Sequence, residues 1–178
     1  TWAGDRQKNN NSVYLSSKGL LDAGFGVSQT LVTDSNFIHY PPQVEVDSSG
    51  NPIVIWAEQD TRLTEQYWRN IQEWDNEIVR SIYSDFCSHY PDPDIAIGVN
   101  RVHVVFVATT DCSNPKLTDL YYTSRAITET TWTPPVKIVD RNDANPGVGF
   151  SDQINYPRLA VNSSDTIISI VWEQKING

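Results

Sequence analysis

The sequence predicts an all-β fold of four-stranded antiparallel blades arranged as a β-propeller. One pattern occurs three times: Tyr-Pro, an alternating run, a turn, and an apolar run that ends in an aromatic residue. The number of residues between the tyrosine and the final aromatic is the same in every copy. The copies are 40–56, 90–106 and 156–172. A fixed core with insertions of variable length marks a repeat architecture.

Each copy is predicted to form a β-hairpin. In the first copy, residues 43–46 alternate with period two, 47–51 are turn formers, and 52–56 are apolar and rich in β-branched residues. The second copy pairs 94–97 with 102–107 around a tight turn, and the third pairs 158–161 with 166–172. These hairpins are the inner strands of the predicted blades.

Two longer and more polar strands are predicted beside each hairpin. The pairs are 13–17 with 25–32, 67–74 with 78–82, and 120–125 with 132–139. Residues 65–80 contain neither glycine nor proline, so local propensity would also allow a helix there. The repeat favours strands, because four strands in each unit are the plan of a propeller blade.

The repeat divides the chain into a partial propeller. We assign 1–38 to the outer strands of one blade, 39–88 and 89–154 to two whole blades, and 155–178 to the inner strands of the next. About three blade equivalents would not close a ring, so we expect part of a ring of six or more blades. We expect this piece of a longer protein to be completed by the rest of the parent chain, another chain or a second copy, because open strand edges need cover.

Composition excludes some classes of partner. The net charge is −9, with the acidic residues scattered and no basic patch, which argues against nucleic acid. No apolar run approaches the ~20 residues that span a bilayer, so no membrane span is expected in this segment. Many Thr, Ser, Asn, Tyr and Trp residues suit a secreted or cell-surface β protein.

The two cysteines are predicted to form a disulfide. The turn at 98–101 sets an antiparallel register that, if extended, brings Cys87 opposite Cys112. The alternative is two free thiols. A disulfide would indicate an oxidising, extracellular compartment. No CxxC spacing is present, so we expect no metal site to be recruited from His89 and His103.

The repeat resembles the sialidase-like (BNR-repeat) β-propeller superfamily, of which this chain would be a divergent member. The clearest copy is Tyr-Pro-x-Leu-Ala-Val-Asn followed by an apolar run to Trp172. The outer hairpin of that family often carries an Asp box, Ser-x-Asp-x-Gly-x-Thr-Trp. Here Ser124, Thr131 and Trp132 match it, whereas the Asp and Gly positions do not.

The resemblance implies a glycan-related function. Catalytic sialidases use three arginines on the substrate carboxylate, a Tyr/Glu nucleophile pair and an acid/base Asp, because guanidinium groups bind a carboxylate bidentately. At the starts of the inner strands, where such arginines would lie, this chain has Gln43, Asp94 and Arg158. One arginine is not a triad, so the catalytic residues of an enzyme would lie partly outside this chain.

The starts of the inner strands are the predicted ligand site, since they should converge on one mouth of the channel. Tyrosine faces there would stack on sugar rings, while Asp and His would bind hydroxyls. The candidates are His39, Tyr40, His89, Tyr90, Asp92, Asp94, Tyr156 and Arg158. The alternative is that the recurring Tyr-Pro packs between blades and only sets the strand geometry.

Other residues are assigned to structure. Trp56, Phe106 and Trp172 are expected between blades, and Glu58 and Glu173 on a solvated rim. No cofactor is expected. Calcium binding by oxygen-rich turns is a weak alternative without an EF-hand motif, its candidates being Asp47, Asp140, Asp143 and Asp152.

Three classes of function agree with these patterns. The sequence favours a non-catalytic extracellular propeller that binds a glycan or a protein. The first alternative is part of a sialidase-like glycan-active enzyme, either a hydrolase or a lyase. The second is a structural subunit of a surface assembly.

Overall fold

The computed structural model describes most of the chain as β-strands and connecting turns. It describes residues 2–3, 12–18, 24–33, 37–39, 41–60, 68–75, 78–88, 91–109, 111–113, 117–140 and 153–175. All fourteen regular elements of these residues are strands. None of them is a helix long and apolar enough to cross a membrane.

The strands form four sheets, in which neighbouring strands are antiparallel. The first sheet has the order β1-β2-β3: β1 (Trp2–Ala3), β2 (Ser12–Leu15) and β3 (Gln29–Thr33). The second has the order β4-β6-β7-β8, with β5 also on β6: β4 (Phe37–His39), β5 (Gln43–Val46), β6 (Pro52–Asp60), β7 (Trp68–Asp75) and β8 (Ile78–Cys87).

The other two sheets come next in chain order. The third has the order β12-β11-β10-β9: β9 (Asp94–Ile97), β10 (Arg101–Ala108), β11 (Asp119–Ala126) and β12 (Val136–Val139). The fourth pairs β13 (Gln153–Val161) with β14 (Ile168–Lys175). The predicted all-β fold of antiparallel, blade-like sheets is confirmed. The division of the chain into blades of one ring stays a prediction.

β7 and β8 form a strand pair, where local propensity would also have allowed a helix. Trp74 of β7 lies opposite Val54 of β6 on one side and Val79 of β8 on the other. Cross-strand neighbours on both sides decide the conformation here, since packing in a sheet outweighs single-residue propensity.

Three predicted strands are shorter in the structure. β12 begins at Val136 and not at residue 132, because Pro134 and Pro135 have no backbone N–H to donate to a ladder. In the first sheet, β2 ends at Leu15 and β3 begins at Gln29, and the backbone N–H of Gly26 donates instead to the carbonyl of Ser17 (3.0 Å).

Apolar clusters fill the spaces between successive sheets. Because side chains alternate along a strand, β6 sends Trp56 toward the first sheet and Ile55 toward the third. In β10, Phe106 faces the second sheet while Val105 and Val107 face the fourth. The inner strands of the two middle sheets are therefore covered on both faces.

Trp172 corrects the prediction that all three repeat aromatics are buried. Trp56 and Phe106 are fully buried, whereas Trp172 is 40 % exposed. Among the described strands, β14 pairs only with β13, so no outer strand extends the fourth sheet beside it. Val171, on the other face of β14, is 65 % exposed, because the described chain has no further sheet to cover that face.

A buried ion cluster joins the second and third sheets. Arg125 of β11 is inaccessible to solvent and donates from Nη2 to Glu73 Oε1 (2.5 Å) and to Asp75 Oδ2 (2.8 Å). The indole of Trp132 donates to Glu73 Oε2 (3.1 Å) and lies over the guanidinium, with 5.4 Å between the guanidinium carbon and the ring centroid. Each of the three charged groups is thus paired across the interface.

The same guanidinium also holds the turn after β11. Its Nη1 donates to the carbonyls of Ala126 (3.1 Å), Ile127 (3.2 Å) and Glu129 (2.9 Å). This is the stretch in which the Asp and Gly of the Asp box are missing. An arginine inside the repeat therefore supports the turn in this chain.

A second polar contact joins the third and fourth sheets. Asp165, in the β13–β14 turn, accepts from the backbone N–H of Asn100 (2.6 Å) and lies 3.4 Å from Nε2 of buried His103. Nδ1 of His103 lies 2.7 Å from the Tyr122 hydroxyl. A Cβ atom on Gly98 would overlap the Asp165 carboxylate, so the turns approach this closely only with glycine at that position.

Replacement of Arg125 tests whether the ion cluster holds the sheets together. We expect Arg125→Ala to lower the free energy of unfolding by about 3–5 kcal/mol, because Glu73 would remain buried without a counter-charge and Asp75 would keep only the more distant Arg80 (3.7 Å). Urea unfolding followed by tryptophan fluorescence measures this free energy. The control is Lys18→Ala, which removes an exposed cation and should cost less than about 1 kcal/mol. Equal losses in the two variants would contradict the assignment.

Candidate functional site

The inner strands of three successive sheets lie side by side. β9 lies between β5 and β13; Glu45 is on β5, Asp94 on β9 and Arg158 on β13. Three of the predicted site residues, Asp94, Tyr156 and Arg158, are therefore on neighbouring strands, and Asp92 lies just before β9. We call Asp92, Tyr156 and Arg158 the inner-strand site.

Asp94 forms a hydrogen bond between the third and fourth sheets. Its side chain is nearly buried, and Oδ2 accepts a hydrogen bond from the backbone N–H of Leu159 on β13 (2.7 Å). Since an ionised acceptor makes a strong bond with a backbone N–H, Asp94 fixes the spacing of β9 and β13. We therefore leave it out of the ligand-contacting set.

Asp92 is the most unusual carboxyl group of the site. Its backbone has φ 37°, a conformation that residues other than glycine seldom adopt. The residue is half-buried, and its Oδ2 is inaccessible with no hydrogen-bond partner among the described residues. Burial raises the pKa of Asp92, and the positive charge of Arg158 offsets part of that rise.

Tyr156 and Arg158 are presented by an irregularity in β13. The pairing of β13 with β14 shifts between Asn155 and Arg158, and Tyr156 has φ 48°. Tyr156 is 53 % exposed, whereas Pro157 is buried. In this copy the proline packs inside while the tyrosine faces solvent, on the sheet that no further sheet follows in the described chain. Whether Tyr-Pro packs between blades stays a prediction. Arg158 is exposed and donates from Nη1 to the carbonyl of Pro157 (2.7 Å).

Four other predicted site residues lie wholly or partly outside the described part. His39 belongs to β4, where its backbone pairs with Glu58, but its side chain is not among the described ones. Tyr40, His89 and Tyr90 lie outside the described residues altogether. Their contribution to the site stays a prediction.

Sequence reasoning missed Glu45, and it misplaced Glu58. Burial and then the nearby charge of Asp94 raise the pKa of Glu45, although the side chain remains exposed. The alternation of β5 places Glu45 on the same strand face as Gln43, which is the signal that could have found it. Glu58 is buried and accepts from Gln72 Nε2 (2.8 Å), whereas Glu173 is exposed as expected.

Cys87 and Cys112 form a disulfide with a Cα–Cα distance of 5.3 Å. The predicted register holds in the hairpin, where Val102 lies opposite Ile97. It does not extend to the cysteines, because Cys87 lies opposite Thr109 and Cys112 belongs to the turn beyond. The predicted pair is therefore right, while the uninterrupted ladder that suggested it is wrong.

The described residues contain no cluster of three or more His, Cys, Asp or Glu side chains arranged to hold a metal ion. Of the turns considered for calcium, that of Asp47 uses its carboxylate internally. Oδ1 of Asp47 accepts from the backbone N–H groups of Ser49 (2.9 Å) and Asn51 (2.8 Å). Asp143 and Asp152 lie outside the described residues.

Comparisons with known proteins give weak structural similarity and no match in sequence. No protein-family model matches the chain, and no curated protein matches it. Among solved structures, the chain is similar to one described as the crystal structure of a thermostable family-43 glycoside hydrolase. The TM-score is 0.48 and the sequence identity is 10 %, over 93 % of this chain and 62 % of the hydrolase chain. The chain thus spans less than two thirds of the length of that protein.

The variant Asp92→Asn tests whether the ionised carboxyl group of Asp92 lowers the free energy of unfolding. The pKa of Asp92 is higher in the folded than in the unfolded state, so the fold loses stability as pH rises through these pKa values. At neutral pH the substitution should therefore stabilise the fold, by a few tenths of a kcal/mol to about 1 kcal/mol once solvent screening is allowed for.

The measurement is urea unfolding at neutral and at mildly acidic pH. The gain should disappear under acidic conditions, where wild-type Asp92 is itself protonated. Asp47→Asn is the control and should give no stabilisation, since the Asp47 carboxylate accepts backbone hydrogen bonds. A destabilised Asp92→Asn variant at neutral pH would show that the carboxylate supports the fold.

Proposed function

We propose that this chain is a non-catalytic β-propeller module that binds a glycan at the inner-strand site. The observation that carries the proposal is the combination of exposed Tyr156 with Arg158 and the strained, half-buried Asp92 on neighbouring inner strands. An apolar ring face beside a few polar groups of fixed position is the usual composition of a small-ligand site.

The three side chains have complementary roles toward a sugar. The ring of Tyr156 would pack against the C–H face of a pyranose. The half-buried carboxylate of Asp92 would accept a hydrogen bond from a sugar hydroxyl. Arg158 would donate to ring or hydroxyl oxygens and keep Asp92 ionised.

The inter-sheet contacts support this assignment of roles. Asp94 bonds β13 through Leu159, so Tyr156 and Arg158 are carried by a strand fixed to the one that begins just after Asp92. A site on rigid neighbouring strands loses little conformational entropy when it binds.

The setting that we propose is extracellular, in a larger ring of the sialidase-like superfamily. The disulfide supports an oxidising compartment. The exposed side chains of β14, including Val171 and Trp172, support completion of the ring by further strands, for which we favour the remainder of a parent chain.

Binding is tested with the full-length protein on a glycan array. We expect a defined set of glycans to bind, and Asp92→Asn and Tyr156→Ala each to weaken that binding about tenfold or more, because a charge-assisted hydrogen bond or a stacked ring is lost. Calorimetry with the strongest array glycan gives the affinities. The matched control is Tyr14→Ala, which removes a partly exposed tyrosine from the first sheet and should leave binding unchanged.

The proposal fails if no glycan binds, or if Asp92→Asn and Tyr156→Ala bind as the wild type does. Capture of a protein partner in the absence of any glycan binding would instead favour the protein-binding form of the function.

The second candidate is a sialidase-like glycan-active enzyme. The raised pKa of Asp92 favours it, since a carboxyl group that keeps its proton at higher pH can act as a general acid. Arg158 is the one arginine of the inner-strand site, so other parts of the protein would have to supply further guanidinium groups for a sialic acid carboxylate.

Turnover separates the two candidates. The full-length protein is incubated with chromogenic glycosides, including a sialoside, and Asp92→Asn is the matched variant. Hydrolysis that Asp92→Asn abolishes, in a variant that keeps its fold, would favour the enzyme. We expect no hydrolysis by either protein.

A further inference from the structure

We propose that the Cys87–Cys112 disulfide controls the conformation of Asp92, so that its reduction weakens ligand binding at the inner-strand site. This inference rests on the proposed function for its consequence, but its structural part is independent of any ligand. The disulfide would then have two effects: it stabilises the fold, and its redox state controls the conformation of Asp92.

The disulfide connects the end of one sheet to the edge of the next. Cys87 is the last residue of β8 in the second sheet and is fully buried. Cys112 lies in the turn after β10 of the third sheet and is half-buried. That turn is organised locally: the N–H of Asp111 donates to Thr109 Oγ1 (3.0 Å), and the N–H of Ser113 donates to Asp111 Oδ1 (3.1 Å).

Cys87 and Pro91 are each attached to β10 or to its extension. Cys87 and Thr109 exchange backbone hydrogen bonds of 3.2 and 2.9 Å. The carbonyl of Pro91 accepts from the N–H of Val107 (3.1 Å). Asp92 comes directly after it, with its φ of 37°. An unfavourable backbone conformation persists only where its surroundings hold it on every side.

The disulfide covalently reinforces the first of these attachments. Without it, the Cys87–Thr109 pair would be an isolated bridge of two hydrogen bonds between sheets. We infer that Pro91 and Asp92 would then leave their positions more often and that Asp92 would relax to negative φ. The third sheet packs on the second through a buried cluster that includes Val102, Val104 and Phe106, and it should remain folded.

Reduction should start at Cys112, the more accessible sulfur. A thiolate of a small dithiol attacks Cys112 Sγ, the Cys87–Cys112 bond breaks, and Cys87 leaves as a thiolate that takes up a proton. The second thiol of the reagent then attacks the mixed disulfide and releases Cys112, which is also protonated. The dithiol becomes a cyclic disulfide, having supplied two electrons and two protons.

The test compares oxidised and dithiothreitol-treated full-length protein by hydrogen exchange and on the glycan array. We expect faster amide exchange within residues 91–95 after reduction, at Asp92, Asp94 and Ile95 because Pro91 and Pro93 have no N–H, while β10 and β11 keep their protection. We expect about tenfold weaker glycan binding, the effect of freeing one strained residue. The variant Cys87→Ser/Cys112→Ser should resemble the reduced protein and should not respond to the reagent.

The outcomes separate this inference from the proposed function. If the oxidised protein binds no glycan, the proposed function fails, and exchange confined to 91–95 still supports the structural part. If glycan binding is the same before and after reduction, or if residues 91–95 exchange unchanged, the inference is overturned. Equal acceleration throughout the third sheet would also overturn it, because the disulfide would then be a general brace. If the double variant does not fold, the comparison of oxidised and dithiothreitol-treated wild-type protein is sufficient to test the inference.

Discussion

The constraint on which this structure depends is that an inner strand must be covered on both faces. In β6 every residue from Ile53 to Ala57 is buried, and in β10 every residue from Val102 to Val107 is buried. Such strands lose all contact with water only when another sheet packs on each side. The second and third sheets have these neighbours. The described chain supplies no sheet beyond β14, and the side chains of that strand are exposed as a result.

Polar contacts complement the apolar packing by fixing how the sheets sit against one another. Arg125 binds Glu73 and Asp75 between the second and third sheets, and Asp94 binds the backbone of Leu159 between the third and fourth. Apolar contact is non-directional, whereas a buried charge tolerates few geometries. The contacts that fix this geometry therefore also determine where the inner-strand residues lie.

The inner-strand site is a consequence of that arrangement. Asp92 and Tyr156 both have positive φ close to where their sheets begin, and each is adjacent to a buried proline. Each of the two residues directly precedes its proline, and steric contact with the proline ring disfavours the right-handed helical conformation there. Tyr156 is exposed, and Asp92 has an unsatisfied oxygen. Unfavourable backbone conformations of this kind are concentrated at functional positions.

The sequence by itself determined the strand pattern and the hairpin register, which depend on period-two alternation and turn residues and are therefore local. It also determined the disulfide pair, because the chain has two cysteines, although the extended ladder that suggested their pairing does not form. It also named Asp92, Asp94, Tyr156 and Arg158, because the repeat aligned the inner strands. Only the tertiary structure decided which of these residues have a structural role: Asp94 accepts a hydrogen bond from Leu159, whereas Oδ2 of Asp92 has no hydrogen-bond partner among the described residues. It alone also decided that Glu58 is buried, that Trp172 is exposed and that Arg125 pairs with Glu73. Each of these outcomes depends on contacts between strands far apart in the chain, and a local pattern carries no information about which sheet will cover a given face.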